Sequence, residues 1–178
     1  MDKVTARKFL KSKLLAMTDE QKSNASDLIF ERVKRLDLCG KICIYNALPT
    51  EVNTQKIVKY LMQNCQIFMP VVKGLDMTFV RVDYYTKFEQ GSYNVIEPQG
   101  EQLQKTAIQF DYCITPLLGF DEKLNRLGKG KGYYDRFFEN NNCTRIALAF
   151  EEQRIDMVPC DCYDQPMDMI ITPKRIYK

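Results

Sequence analysis

The sequence predicts an α/β protein: a single domain with an open, mostly parallel sheet and helices on both faces. Apolar runs rich in Ile, Val and Cys alternate with amphipathic stretches along the chain, as in strand–helix–strand units. The clearest unit lies between residues 41 and 72, where two apolar runs flank a helical stretch, and such a crossover makes its strands parallel. The 178 residues contain no repeat, low-complexity segment or linker, so we expect one domain spanning residues 1–178.

Two amphipathic helices are predicted at the N-terminus. The first covers residues 3–17, and its apolar face is formed by Ala6, Leu10, Leu14 and Met17. The second begins at Thr18, because Thr18 and Gln21 have the spacing of a capping box. Gly40 is its expected terminator, and its apolar face comprises Ala25, Leu28, Ile29, Val33 and Leu36.

The remaining elements follow from short apolar runs separated by polar or proline-containing loops. Helices are expected around residues 57–62 and at 133–140. The segment 116–126 is predicted to be a long loop, and loops of this length in a compact domain are commonly functional. Strands are expected at residues 41–46, 66–72, 77–82, 110–115, 145–150 and 169–172.

Composition and charge narrow the class of protein. An apolar fraction of 45% indicates a globular chain. A net charge of +3 is too small to indicate nucleic-acid binding, but it suits a polyanionic small ligand. No apolar run approaches the length of a membrane span and the N-terminus does not resemble a signal peptide, so we expect a cytoplasmic protein without a membrane partner. A monomer is the expected oligomeric state.

The chain has no histidine, and this limits its chemistry. Ser-His-Asp and Cys-His catalysis and histidine-ligated metals are excluded. The seven cysteines are scattered, and Cys160 and Cys162 form their only close pair, so reduced thiols are expected rather than a disulfide framework or structural zinc. Carboxylates, lysine, arginine, tyrosine, backbone dipoles and a hard metal ion remain, and phosphoryl transfer needs little else.

The most informative stretch runs from Arg126 to Arg136, with the sequence RLGKGKGYYDR. Its first half alternates three glycines with two lysines, and its second half predicts the start of a helix. Glycines let the backbone approach a ligand closely, lysines add charge, and a helix N-terminus favours an anion, so we expect phosphate here. The pattern is neither a Walker A loop nor a dinucleotide fingerprint, and taken alone it also fits a solvated basic loop.

Together with Pro116–Asp121 (PLLGFD), this stretch closely resembles the signature of the 5-formyltetrahydrofolate cyclo-ligase family, also called methenyltetrahydrofolate synthetases. The resemblance extends over most of the chain. It implies ATP- and Mg²⁺-dependent cyclisation of 5-formyltetrahydrofolate to 5,10-methenyltetrahydrofolate, with release of ADP and phosphate, through a phosphorylated formyl intermediate. ATP would be the co-substrate and Mg²⁺ the cofactor, and the folate would be bound with or without a polyglutamate tail.

The resemblance assigns part of this chain to the nucleotide. Without the resemblance, Lys3 and Arg7 are two members of a basic stripe on the first helix, and such stripes are more often simply exposed to solvent. The side chains expected to stabilise charge on the transferring phosphoryl group, and so to be catalytic, are Lys131, Lys129 and Arg126. The residues implied to bind ATP are Lys3, Arg7, Arg126, Leu127, Gly128, Lys129, Gly130, Lys131, Gly132, Tyr133 and Tyr134.

Other residues are implied to bind the folate. Glu51 follows the first predicted strand, at the sheet edge where open α/β sheets bind ligands, although a glutamate in a loop is also commonly just solvated. The ring of Tyr93 could stack on the flat pterin or serve only in packing. The residues implied to bind the substrate are Asn46, Glu51, Tyr93, Lys129, Gly130, Lys131, Gly132 and Tyr133.

Asp135 and Asp164 are the implied magnesium ligands. A bare carboxylate repels nucleotide phosphates, whereas a bridging Mg²⁺ ion is usually held by one or two carboxylates together with phosphate oxygens and waters. An acid in the first turn of a helix is also favoured by the helix dipole alone, by about 0.3–1 kcal/mol. Asp168 is a rival to Asp164, because the correspondence rests on the spacing after Val158–Pro159.

Two other classes of function fit the same residues. A nucleotide-binding regulator on this scaffold would bind ATP without turnover. An RNA-binding module would use Lys129, Lys131, Arg136 and the neighbouring tyrosines for phosphate contact and stacking. ATP consumption that depends on 5-formyltetrahydrofolate separates the enzyme from the regulator, and a steep salt dependence of RNA affinity would indicate the RNA-binding module.

Overall fold

The computed structural model describes residues 1–74, 76–91 and 96–178. Its helices are α1 (Lys3–Ala16), α2 (Asp19–Val33), α3 (Gln55–Leu61) and α4 (Tyr133–Phe138), with 3₁₀ turns at Lys34–Leu36 and Glu151–Gln153. Its strands are β1 (Gly40–Ile44), β2 (Cys65–Lys73), β3 (Asp76–Val82), β4 (Phe88–Gln90), β5 (Ile96–Pro98), β6 (Gln102–Gln104), β7 (Tyr112–Pro116), β8 (Gly119–Phe120), β9 (Arg126–Leu127), β10 (Thr144–Leu148), β11 (Met169–Ile171) and β12 (Ile176–Tyr177).

Most of the strands form one 8-stranded sheet with the order β12-β11-β10-β7-β1-β2-β3-β6. Strands β2, β1, β7, β10 and β11 run parallel, whereas β3, β6 and β12 pair antiparallel at the edges. The chain moves from β1 outward to β2 and later returns to β7 on the other side of β1. The carboxyl ends of β1 and β7 therefore flank a topological switch point, where doubly wound sheets bind ligands.

The central strands face two cores, one on each side of the sheet. Ile42 and Ile44 of β1 pack with α1, α2 and α3, whereas Cys43 packs with Phe137 and Phe138 of α4. Alternate side chains of a strand point to opposite faces, so helices cover both faces of the sheet. The predicted fold class, an α/β protein with an open and mostly parallel sheet, is confirmed.

The second helix differs from its prediction. It begins with the predicted capping box at Thr18, but Leu28 is 54% exposed instead of facing the core. The chain leaves α2 through a 3₁₀ turn and reverses at Asp37, which has a positive φ of 46°. Aspartate tolerates this conformation because its short polar side chain can bond locally. Gly40 consequently begins β1 instead of terminating the helix.

The segment 116–126 is ordered as a hairpin rather than as a long loop. Strands β8 and β9 pair antiparallel, with Gly119 opposite Leu127 and Phe120 opposite Arg126. The hairpin begins three residues after the end of β7 and returns the chain to the same place. It therefore delivers Arg126 and the glycines that follow to the carboxyl edge of the sheet.

Two findings bear on the class of protein. No helix within the described ranges is long and apolar enough to cross a bilayer. The cysteines are free thiols, with Cys43 and Cys113 buried and with Cys160 and Cys162 exposed. Burial raises the pKa of the Cys113 thiol, which therefore remains protonated in the core.

Candidate functional site

The glycine–lysine turn, defined as Gly128–Gly132, connects β9 to α4 at the switch point of the sheet. Gly130 and Gly132 have positive φ values of 100° and 66°, which glycine adopts without a steric penalty. The carbonyl of the buried Leu127 accepts a hydrogen bond from the Leu118 amide at 2.8 Å, which fixes the turn beside the end of β7. Helix α4 has only 6 residues, fewer than predicted, so its dipole is weak and the charge of the site comes mainly from side chains.

An ion pair between Lys129 and Glu51 ties this turn to the carboxyl end of β1. Lys129 Nζ lies 2.5 Å from Glu51 Oε1, and the Glu51 side chain is 6% exposed. The other carboxylate oxygen, Oε2, accepts a hydrogen bond from the Leu48 amide at 2.8 Å. Two predicted site residues, 78 positions apart in sequence, therefore meet at the switch point.

Asn46 separates two clefts beside this ion pair. One cleft of about 450 Å³ is lined mostly by polar residue types and includes Glu51, and the other, of about 550 Å³, has a mixed lining whose apolar part includes Met62 and Met69. Asn46 lines both clefts, and its Nδ2 donates a hydrogen bond to the carbonyl of Ile96 at 2.8 Å. A partly apolar cleft next to a buried carboxylate suits a flat ligand with polar edges.

Arg126 and Asp135 form a partly buried ion pair next to the turn. Arg126 Nη2 lies 2.6 Å from Asp135 Oδ1, and the two side chains are 4% and 22% exposed. The Arg126 guanidinium also lies over the ring of Tyr134, 5.6 Å from its centroid. The sequence assigned Arg126 to phosphate and Asp135 to a metal ion, whereas here they bind each other, because a buried charge needs a partner.

Both predicted basic residues of α1 contact the site. Arg7 Nε donates a hydrogen bond to the Gly128 carbonyl at 3.0 Å. Lys3 Nζ pairs with Asp161 at 2.6 Å and with Asp164 at 2.5 Å. Burial alone would lower the pKa of Lys3, but the hydrogen bonds to the two aspartates outweigh it and raise that pKa. Each cation is therefore held by a partner, unlike the solvated helix cations of the alternative interpretation.

The two predicted metal ligands line the same cleft. Asp135 and Asp164 border a cleft of about 320 Å³ together with Gly132 and Arg136. Asp168 lies outside its lining, and its Oδ2 accepts a hydrogen bond from the Arg145 amide at 2.7 Å. No group of three His, Cys, Asp or Glu side chains in the described ranges could hold a metal ion by itself. Two carboxylates nevertheless fit Mg²⁺, which takes its remaining ligands from phosphate and water.

The other predicted residues have different surroundings. Lys131 is exposed on the turn, and its carbonyl accepts a hydrogen bond from Arg136 Nη1 at 3.0 Å. The Tyr133 hydroxyl donates to the Gly74 carbonyl at 2.6 Å. Burial raises the pKa of Tyr134, so its hydroxyl stays protonated. Tyr93, predicted to stack on the substrate, lies outside the described residues.

The sequence did not single out Asp161, which shares Lys3 with Asp164. The Asp161 amide also donates to Asp164 Oδ2 at 2.6 Å, so both acids belong to one turn. Two aspartates three positions apart could have indicated such a turn, since aspartate side chains commonly accept hydrogen bonds from backbone amides nearby.

Replacing Gly130 with alanine should destabilise the protein by about 1–3 kcal/mol, because alanine at a positive φ is strained. Its Cβ would also lie 3.3 Å from Cζ of Arg7. Urea unfolding measures the loss. Gly74→Ala is the matched control, since Gly74 has a φ of 63° but no described atom within 4 Å of the new Cβ. Equal losses for the two variants would contradict the close packing of the turn against Arg7.

Comparison with known protein families gives a match over nearly the whole chain. A model of the 5-formyltetrahydrofolate cyclo-ligase family matches residues 1–173. The 5-formyltetrahydrofolate cyclo-ligase of Haemophilus influenzae is 30% identical over 134 residues, which cover 71% of this chain and 72% of that protein. The mouse 5-formyltetrahydrofolate cyclo-ligase is 29% identical over 185 residues, covering 93% of this chain and 90% of the relative.

Solved structures show the same architecture. The NMR structure of 5,10-methenyltetrahydrofolate synthetase from Aquifex aeolicus superposes with a TM-score of 0.86 at 25% identity, covering 100% of this chain and 93% of that one. The 5,10-methenyltetrahydrofolate synthetase from Mycoplasma pneumoniae superposes with a TM-score of 0.76 at 24% identity, covering 97% and 99%. At this identity the second likeness shows the fold alone.

Proposed function

Because the chain belongs to the 5-formyltetrahydrofolate cyclo-ligase family, we propose that it converts 5-formyltetrahydrofolate and ATP to 5,10-methenyltetrahydrofolate, ADP and phosphate. The site that we propose for this reaction is the switch point between β1 and β7. The single observation that carries the proposal is the Lys129–Glu51 ion pair, since it joins the glycine–lysine turn to the clefts beside β1.

The surroundings of Glu51 support a folate on that side of the ion pair. A pterin is flat, and the N–H groups on its edge can donate hydrogen bonds to a carboxylate. Glu51 is 8% exposed as a whole residue and lines the first cleft, while the neighbouring cleft offers apolar side chains such as Met62 and Met69. When ring donors satisfy Glu51, the ammonium of Lys129 becomes available to a phosphate oxygen. The two substrates would thus be bound on opposite sides of one residue pair.

The cations around the turn support a polyphosphate on the other side. Arg7, Lys129 and Arg126 lie within or against the turn, and Lys3 pairs with the acids of the neighbouring segment. Fixed cations stabilise the charge of a transferring phosphoryl group without having to reorganise during the reaction. The carboxylate partners of Lys3, Lys129 and Arg126 hold these cations until an anionic ligand takes the place of those carboxylates.

The reaction then needs two steps at one place. The N5-formyl oxygen attacks the γ-phosphorus of ATP, the bond to ADP breaks, and the formyl carbon becomes an iminium phosphate. N10 adds to that carbon and loses its proton, and the C–O bond breaks to release phosphate and to leave the methenyl bridge. The turn would contribute by aligning the formyl oxygen with the phosphorus, because positioning supplies much of the rate in such reactions.

Asp135 and Asp164 are the residues that we propose for Mg²⁺. When bound, the ion would neutralise charge on the phosphate oxygens. In the present structure these acids hold Arg126 and Lys3, so ligand binding would exchange partners within one charged network. We retain Asp164 over Asp168, because only Asp164 lines the same cleft as Asp135.

The test is the appearance of the methenyl product, followed by its absorbance. The protein is incubated with ATP, Mg²⁺ and 5-formyltetrahydrofolate, and each component is omitted in turn. Product should form only with the complete mixture, and one ADP should be released per methenyl group. ATP binding without turnover would favour a nucleotide-binding regulator instead. RNA affinity that falls steeply with salt, without a nucleotide effect on Tm, would favour an RNA-binding module.

A further inference from the structure

Asp121 is a buried carboxylate that no step of the proposed reaction uses. It lies just after β8 and is 1% exposed. Four N–H donors converge on it: the amides of Lys123 and Asn125 bond Oδ1 at 3.0 and 3.1 Å, and Asn125 Nδ2 and the Val158 amide bond Oδ2 at 3.0 and 2.9 Å. No salt bridge within the described ranges involves Asp121. Its contacts therefore serve to hold backbone in place rather than to neutralise a cation.

The two oxygens of Asp121 hold different parts of the chain. Oδ1 closes the turn of the β8–β9 hairpin, which leads directly into the glycine–lysine turn. Oδ2 reaches Val158, 37 positions away, where the segment that carries Asp161 and Asp164 begins. The neighbouring Phe120 carbonyl accepts a hydrogen bond from the Ile155 amide at 2.9 Å, which joins the same two segments.

We propose that Asp121 is a positioning residue, which sets the separation between the glycine–lysine turn and the acidic segment 158–164. This inference deepens the proposed function and rests on it, because those two segments are the ones assigned to the phosphates and to the metal ion. A ligand that bridges them requires a fixed distance between them. The Val158 bond is the link through which Asp121 provides that distance.

Asp121→Asn tests this role without changing the size of the side chain. An amide is nearly the same size as a carboxylate, but its NH₂ group cannot accept hydrogen bonds. The NH₂ group is best accommodated in the place of Oδ2, because Asn125 can turn its own amide and accept there, whereas in the place of Oδ1 it would face two backbone amides. The Val158 amide then loses its acceptor, so the Val158 link is lost while the core gains no cavity.

Further variants isolate the link. Val158→Pro removes the amide donor but also changes the packing of a side chain that is 3% exposed, so it is compared with Val158→Ala, which reduces the packing and keeps the amide. Asn125→Ala is the matched control, since it removes one side-chain donor within the hairpin but keeps the bond to Val158. Circular dichroism and Tm first establish which variants fold.

Initial rates of methenyl formation then give KM for MgATP and for 5-formyltetrahydrofolate separately. Asp121→Asn and Val158→Pro should each raise KM for MgATP by about tenfold or more, because small displacements of positioning groups have large effects. KM for the folate should stay within about twofold, and Asn125→Ala should resemble the wild type. If Asp121 only stabilised the fold, its replacement would lower Tm but would not raise KM for MgATP more than KM for the folate.

Several outcomes would overturn the inference. Folded variants that keep KM for MgATP, equal rises for both substrates, or an equal effect in Asn125→Ala would each exclude the positioning role. If neither Asp121→Asn nor Val158→Pro folds, Asp121 is required for folding and the inference also fails. If the wild type shows no turnover, the proposed function fails, and Kd for MgATP measured by calorimetry on the same variants still decides the role of Asp121.

Discussion

Replacing Lys131 with alanine should lower turnover by a factor of about 10²–10³, because it removes a group that stabilises charge on the transferring phosphoryl group. Lys131 is exposed on the glycine–lysine turn, so the change should leave the fold intact. The backbone of the turn should also persist, because the Lys131 carbonyl is bonded by Arg136. Single-turnover measurements of methenyl formation, with saturating ATP and with the enzyme in excess over the folate, report the chemical step directly.

Lys123→Ala is the control for Lys131→Ala. Lys123 is also exposed, and it lies in the β8–β9 turn, outside the site. The Lys123→Ala variant should retain wild-type turnover, which would show that the loss of one surface charge is not sufficient to lower turnover. A loss below about threefold in Lys131→Ala, with an unchanged Tm, would remove Lys131 from the catalytic role that its position suggests.

Replacing Arg126 with methionine should destabilise the protein by about 3 kcal/mol, because it leaves the Asp135 carboxylate without its cation. The Arg126 side chain is 4% exposed, whereas that of Asp135 is 22% exposed and borders the acidic cleft. Partial access to water places the expected loss at the lower end of the range for buried ion pairs. Methionine roughly keeps the volume, so the loss reports the charge rather than a cavity. Urea unfolding measures the change.

Two controls define the Arg126 result. Arg154→Met removes a cation whose pair with Glu122 has side chains 41% and 58% exposed, and it should cost at most about 1 kcal/mol. Adding Asp135→Asn to Arg126→Met should recover part of the lost stability, because the unpaired charge is then absent. If Arg126→Met and Arg154→Met were equally stable, the Arg126–Asp135 pair would not be a structural contact in solution. Turnover should fall as well, since both residues belong to the proposed phosphate and metal sites.

Much of the fold could be predicted from local patterns. The spacing of Ala6, Leu10 and Leu14 identified α1 and its buried face, and these three side chains are buried. The capping box at Thr18 identified the start of α2. Such signals are local, since they depend on residues three or four positions apart, and they survive folding because one face of each helix must be buried.

The predictions failed where tertiary packing chose between local options. Leu28 fits the apolar spacing of α2 but is exposed, since the buried face of that helix is confined to Ser26, Ile29 and Val33. The segment 116–126 has a loop-like composition, yet it forms a hairpin whose partner strand supplies its hydrogen bonds. Helix α4 ends at Phe138 instead of residue 140. Because so short a helix has a weak dipole, the charge of the site comes mainly from side chains.

The sequence by itself determined six of the eight strands of the sheet (all but β6 and β12), the glycine positions that permit a tight turn, and the kinds of charge available near that turn. Only the tertiary structure decided which charges meet: Lys129 with Glu51, Arg126 with Asp135, and Lys3 with Asp164. The physical reason is the difference in sequence range between the two kinds of interaction. Backbone conformation responds to neighbours in sequence, whereas an ion pair forms wherever the sheet topology brings opposite charges together, and Lys3 and Asp164 are 161 positions apart.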